Sequence, residues 1–327
     1  MKSLPRQLKC SWLWPLALLL LPLLSACDSR HEPPLRIASS PWPGYEPLYL
    51  AKEVGYLPPE KAKLFELPSS DITLEAFRNQ SADMATLTLD EALDLMDSGV
   101  KLRILMALDI SNGADAVMAK PHIKKLSDLK GKRIAILNIP LGVYMLSRTL
   151  DAAGLSREDV TVIPSAESKH EEMYRLGKAD AFITFDPFKT ALAKRGAHVL
   201  FDSSMIPNEI FDLMLVREEV FQARREDVCD VARQWMRTLG YMRGSPDAAA
   251  ASMAKRLGVT PQEYHAMVQG IKAPTLQENL SLLGGNAPGI VDASKRLNAL
   301  MRSEGQLNHD IDITTALVPD LHTCVTE

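Results

Sequence analysis

Three loops that follow short apolar runs carry the groups best suited to chemistry, and the chemistry they suit is binding. In the first, Trp42 and Tyr45 offer flat apolar walls, while the Ser39 and Ser40 hydroxyls and the Gly44 backbone offer hydrogen bonds. Its Ser40-Pro-Trp-Pro-Gly-Tyr45 run does not fit inside a strand or helix, because proline lacks the N–H that both require. The competing reading is that Trp42 only packs the loop. In the second, Thr86–Glu91, Thr88-Leu-Asp-Glu91 forms a capping box whose hydroxyl and carboxylate satisfy otherwise unpaired N–H groups. Asp90 within it either partners the helix dipole or faces a ligand, where it would repel an anion and welcome an amine. The third loop runs from Ile139 to Tyr144, where a helix begins with Pro140, Leu141 and Gly142 and no acid. Its free N–H groups either hold a carboxylate, sulfonate or phosphonate, or are hydrated.

No catalytic signature stands beside these loops. Gly-x-x-x-x-Gly-Lys, Gly-x-Ser-x-Gly and His-Glu-x-x-His are all absent. The 7 histidines are scattered singly, and His309, Asp310 and Asp312 read as a solvated tail. The sequence therefore calls for no cofactor, no metal and no catalysis. A formal charge of −4 with no long basic run excludes nucleic acid as a partner, since phosphate neutralisation needs clustered Lys and Arg.

Lys2, Arg6 and Lys9 precede an apolar run over residues 12–24 and then Leu24-Ser-Ala-Cys27, the three parts of a secretory signal peptide. The run is shorter than the ~20 residues a membrane-spanning helix needs. Leu-Ser-Ala-Cys resembles the lipobox of bacterial lipoproteins, which would make Cys27 the acylated first residue of the mature chain. Asp28 resembles the signal that retains such a lipoprotein on the outer face of the inner membrane. The alternative is cleavage after Ala26, leaving a free thiol. Loss of residues 1–26 takes the formal charge from −4 to −7. Of the 4 cysteines, Cys229 and Cys324 lie beyond the leader. An oxidising compartment permits a disulfide between them, but the sequence does not show that they approach, and two buried free thiols are the preferred reading.

Short apolar runs alternate with helical stretches in two blocks, over residues 35–99 and 133–201, with residues 104–119 between them. Glycines at 55, 99, 154, 177 and 196 stop the helices. Alternation at this spacing implies parallel sheets covered by helices. From residue 217 onward helices follow one another, and Ser245-Pro246 and Thr260-Pro261 each place a capping hydroxyl before a proline. Thr260-x-x-Glu263 and Thr275-x-x-Glu278 are further capping boxes. The reading is two α/β units with a helical C-terminal cap.

The order and spacing of several stretches resemble the type 2 periplasmic solute-binding proteins of the nitrate, sulfonate, taurine and thiamine-precursor class, which feed ABC importers. They are Ser40-Pro-Trp-Pro-Gly-Tyr45, Leu48-Tyr-Leu-Ala-Lys-Glu-Val-Gly55, Ala82-Asp-Met-Ala-Thr86 with Thr88-Leu-Asp90, Leu126-Ser-Asp-Leu-Lys-Gly-Lys-Arg-Ile-Ala135 and Gly177-Lys-Ala-Asp-Ala-Phe-Ile-Thr-Phe-Asp-Pro187. The resemblance implies a two-lobed α/β fold with hinged parallel or mixed sheets, residues 27–34 being a tether. Lobe 1 would comprise residues 35–115 and 212–327, and lobe 2 residues 116–211. The chain would cross outward near Ser111, Asn112 and Asp115 and return near residues 207–212. Ligand would sit between the lobes at strand ends, with Asp186 matching the family's cleft-lining acid or amide. Asp115 and Asp186 have a competing role as turn caps. With several carboxylates and one open helix start, the ligand expected is amine-bearing or zwitterionic. The partners implied are an ABC permease and ATPase, or alternatively a membrane sensor, with the protein a monomer. A few relatives are cytosolic enzymes of thiamine-precursor or menaquinone-precursor chemistry, and the leader argues against that reading.

Overall fold

The computed structural model describes residues 32–285, 288–318 and 320–325; the leader, the lipobox and Cys27 lie outside them. The chain opens with β1 (Leu35–Ser39), α1 (Glu46–Glu53), β2 (Ala62–Glu66), α2 (Ser70–Arg78), β3 (Met84–Thr88), α3 (Leu89–Asp97) and β4 (Leu102–Ser111). A second run follows: β5 (Ala116–Ala119), β6 (Arg133–Leu137), α4 (Pro140–Ala153), β7 (Thr161–Ser165), α5 (His170–Arg175), β8 (Ala181–Thr184), α6 (Phe188–Lys194) and β9 (His198–Asp202). The remainder is β10 (Phe211–Arg217), α7 (Glu218–Ala223), α8 (Arg225–Gly244), α9 (Pro246–Leu257), α10 (Pro261–Val268), β11 (Ile271–Lys272), α11 (Leu276–Leu283), α12 (Ile290–Ser303) and α13 (Leu321–Cys324).

The strands form two sheets, ordered β11-β4-β10-β3-β1-β2 and β7-β6-β8-β5-β9. Both are mixed. β1 runs parallel to β2 and β3, and β6 parallel to β7 and β8. β10 runs antiparallel to both β3 and β4, and β5 antiparallel to β8 and β9. Alternating strands and helices force crossovers and hence the parallel pairs; β10 and β5 enter from the far side because the chain crosses between the sheets over residues 112–115 and again over 203–210. All seven residues of β10 are buried, as a central strand covered on both faces requires.

Local chemistry fixes the element ends. Gly154 and Gly258 adopt the left-handed conformation, at φ 65° and 68°, that closes α4 and α9. The hydroxyls of Thr260 and Thr275 accept the backbone N–H groups of Glu263 and Glu278, each at 3.2 Å, and both capping boxes are complete. Ser245 differs from expectation: its side chain makes no cap bond, because α9 follows α8 through a single residue that holds an intermediate backbone conformation. The preferred reading of Cys229 and Cys324 is also corrected. They are joined as a disulfide with Cα atoms 4.8 Å apart, since α13 returns to pack on α8. A sequence separation of 95 residues concealed that approach.

Candidate functional site

The ends of the central strands converge on a small cavity lined by residues from both sheets. Register places Thr88 of β3 and Asp109 of β4 on either side of Asp212 of β10, so three polar side chains stand abreast across adjacent strands. The loop after β1 folds over this row. Trp42 Nε1 donates to Asp109 Oδ2 at 3.0 Å, and the Tyr45 hydroxyl donates to Asp212 Oδ1. Gly44 is required beneath that loop: a Cβ there would stand 2.0 Å from Asp109 Oδ2 and 2.3 Å from Trp42 Nε1. The opposite wall comes from the second sheet, with Phe185 after β8, Ile139 and Leu141 at the start of α4, and Asp115 before β5. Trp42 and Phe185 meet edge to face across the gap, with ring centroids 5.4 Å apart.

The electrostatics are one-sided. Asp90, Glu91, Asp109, Asp115, Glu167, Asp186 and Asp212 are all buried. Among the described residues the cation within this group is Lys189, which pairs with Asp186 at 3.1 Å and donates to the carbonyls of Gly113 and Ala114. Burial disfavours the charged form, and it is the main cause holding Asp90 up to about 7 and Asp115 up to about 6. Burial likewise lifts Glu91 and Asp212 well above the carboxylate range, Asp212 helped by the neighbouring charge of Asp109. Burial also pushes Asp109 up to about 7. Thr86 Oγ1, Asp90 Oδ2, Glu91 Oε1 and Asp109 Oδ1 are buried with no hydrogen-bond partner among the described residues. Such orphaned acceptors are costly, and they present unfilled acceptor capacity beside the cavity.

One contact ties the two walls directly. Glu167, between β7 and α5, accepts the backbone N–H of Ser70 at 3.0 Å and its hydroxyl at 3.4 Å. Ser70 Oγ in turn lies 3.3 Å from Ser40 Oγ on the first loop. At the crossing, Ser203 Oγ sits 2.7 Å from Ser111 Oγ and accepts the Gly113 N–H at 2.6 Å.

Of the residues singled out from the sequence, Ser40, Trp42, Tyr45, Thr88, Asp115 and Leu141 line the cavity together. Asp90 is buried just beyond the lining, and its Oδ2 has no hydrogen-bond partner among the described residues. The others sit elsewhere. Ser39 shares a hydrogen bond with the Tyr49 hydroxyl at 2.5 Å and does not line the cavity. Ser111 braces the crossing, and Asn112 is exposed with its N–H on the Gly270 carbonyl at 2.8 Å. Gly142 lets α4 start against β6, since a Cβ would stand 2.2 Å from the Leu137 carbonyl oxygen. The Tyr144 hydroxyl turns away to Glu209. Asp186 caps α6, accepting Thr190 N–H at 3.0 Å and Thr190 Oγ1 at 2.6 Å, which realises its alternative role. Ser70, Thr86, Glu91, Ile139, Phe185 and Asp212 complete the lining. Thr86, Glu91 and Ile139 fall within the loops proposed from the sequence, whereas Ser70, Phe185 and Asp212 were not singled out as site residues.

Two sheets joined by two crossings, with a helical C-terminal region and a cavity at converging strand ends, are the type 2 periplasmic-binding-protein fold. A family model described as the NMT1-like family matches residues 28–258, and the chain belongs to that family. The fold is similar to the alkanesulfonate-binding protein SsuA from Xanthomonas axonopodis pv. citri bound to MOPS, with a TM-score of 0.74, 20% identity, and coverage of 87% of this chain and 98% of that one. It is similar to the periplasmic nitrate-binding protein NrtA from Synechocystis PCC 6803, with a TM-score of 0.68, 11% identity, and coverage of 86% and 84%. The desulfurization enzyme DSZB in complex with biphenyl-2-sulfinic acid has the same fold, with a TM-score of 0.66, 15% identity, and coverage of 88% and 98%. No curated protein sequence matches the chain.

Proposed function

We propose that this chain is the extracytoplasmic substrate-binding component of an ABC importer, a binder rather than a catalyst, and that it captures a small organic solute bearing an amine or amidine, alone or as a zwitterion. The observation that carries the ligand class is the unbalanced charge of the cavity. Glu91, Asp115 and Asp212 line the cavity, Asp90 and Asp109 are buried beside it, and among the described residues none of the five pairs with a lysine or arginine. A cationic group entering there would replace protons as the counter-charge and supply donors to orphaned carboxyl oxygens. Trp42, Tyr45 and Phe185 supply the apolar contact. Domain halves joined by two crossings suit closure around the guest, which stabilises the shut form through contacts made only there.

Supporting this reading are membership of the NMT1-like family, the fold shared with sulfonate- and nitrate-binding proteins, and a disulfide compatible with an oxidising compartment. The halves are read as residues 35–115 with 212–327, and residues 116–211. Acylation at Cys27 would tether the monomer to the periplasmic side of the inner membrane, and labelled palmitate incorporated by the wild type but not by Cys27→Ser checks it. The ligand class is tested by thermal shift against amines, amino acids, nitrate and alkanesulfonates. An amine at 100 times its Kd should add about 2.7 kcal/mol of stability. Stabilisation by nitrate or a simple sulfonate, and by no amine, would refute the cationic reading.

A further inference from the structure

We propose that Glu91 and Thr86 together seat a ligand nitrogen that carries N–H bonds, so that the site takes a primary ammonium or an amidinium and rejects a quaternary ammonium. Glu91 is the third residue of α3, and its two carboxyl oxygens have separate fates. Oε2 serves the capping box, accepting the Thr88 backbone N–H at 2.8 Å and the Thr88 hydroxyl at 2.9 Å. Those two bonds fix the carboxyl in place. Oε1 has no hydrogen-bond partner among the described residues, and Glu91 is only 1% exposed. Thr86 stands two residues before Thr88 on β3, and therefore on the same face of the strand. Its register partner on β10 is Met214, whose side chain has no donor, and Thr86 Oγ1 is likewise buried without a partner among the described residues. Both residues line the cavity.

A buried oxygen that accepts nothing costs free energy, and two of them beside one cavity are best met by a guest that brings donors. The neighbouring acids are engaged elsewhere or set back. Asp212 accepts the Tyr45 hydroxyl, Asp109 accepts Trp42 Nε1, and neither Asp109 nor Asp90 lines the cavity. The aromatic side chains do not form a cage for a quaternary cation, which needs open ring faces. Trp42 and Phe185 meet edge to face, so one of those two rings already covers the other, and Tyr45 directs its hydroxyl to Asp212. An ammonium or amidinium supplies N–H donors to Oε1 and Oγ1 together with the counter-charge; a tetraalkylammonium brings the charge and nothing to donate. This inference rests on reading the cavity as cation-accepting, and it adds the seat and the kind of nitrogen that fits it.

The test uses the full chain with methylammonium, acetamidinium and tetramethylammonium as probes, read by calorimetry. Wild type should bind methylammonium or acetamidinium at least about tenfold more tightly than tetramethylammonium. Glu91→Gln keeps an oxygen for the capping box, which glutamine also serves, but turns an amide N–H₂ towards the guest. It should weaken binding of the N–H probes by about 10–100-fold, the range for a hydrogen bond to a charged group, with melting little changed. Thr86→Val should weaken it by about 3–10-fold without lowering the melting temperature, since it removes a buried hydroxyl that has no partner. Unchanged affinity in a folded Glu91→Gln overturns this inference alone, because it leaves Glu91 with the capping role only; where that variant does not fold, unchanged affinity in Thr86→Val overturns it. Tetramethylammonium bound as tightly as methylammonium by the wild type also overturns the seat while leaving the cationic reading in place. Wild type that binds none of the three cations overturns both.

Discussion

Asp109 is pushed up to about 7 by burial on the central sheet, whereas an unfolded chain loses that proton near pH ~4. The folded state therefore binds one more proton between these values, and the stability tied to it is present at low pH and lost as pH rises towards 7. Asp109→Asn keeps an acceptor for Trp42 Nε1 and has no charge to bury. It should raise stability at pH 7.5 by ~1 kcal/mol or more and flatten the stability profile between pH 4 and 7, as measured by urea unfolding. His170 acts in the opposite sense. Its buried ring is held down to about 4, so its contribution is lost as pH falls below ~6.5, and only the comparison of variant with wild type isolates Asp109. Trp42 and Tyr45 were legible because prolines barred their loop from regular structure. Asp109 and Glu167 were not, because a single acid in an apolar strand or a short turn reveals its neighbours only once the strands are paired.

At the scale of elements, the legible parts were those whose signal is local. Thr260 and Thr275 announce their helices by residues three apart, and the boxes form as read. The ordering of strands is non-local, and so is the return of α13 to α8, which brings Cys324 to Cys229. That disulfide closes a loop of about a hundred residues, so the chain-entropy model assigns it roughly 4–5 kcal/mol. Replacing both cysteines by alanine should lower the stability by up to that amount, with ligand affinity in the native state little changed, since neither residue lines the cavity. Denaturant unfolding and calorimetry on one sample check both halves of the statement. The crossing is more fragile. Ser203→Ala leaves the Gly113 N–H without its acceptor and Ser111 without its partner, and should cost ~1–3 kcal/mol.

For the molecule as a whole, a cation held against acids that carry protons when the site is empty must displace some of them. With Asp115 at about 6 and Asp90 at about 7 in the empty protein, lowering the pH from 8 to 5 fills these carboxyls. Amine affinity should then weaken by about tenfold per pH unit for each proton displaced, with the protons released detectable as a buffer-dependent heat. The two-sheet plan was legible from the alternation of runs and the family resemblance; the antiparallel entry of β10 was not, since nothing in its seven buried residues states its direction. That strand has a consequence for biogenesis. As the polypeptide is released from its N-terminus, the five strands of the second sheet arrive as one continuous stretch and can pair at once. The first sheet must wait, with β3 and β4 lacking the partner that belongs between them until residue 217 has emerged. Until then its apolar edges are open to chaperones and to aggregation.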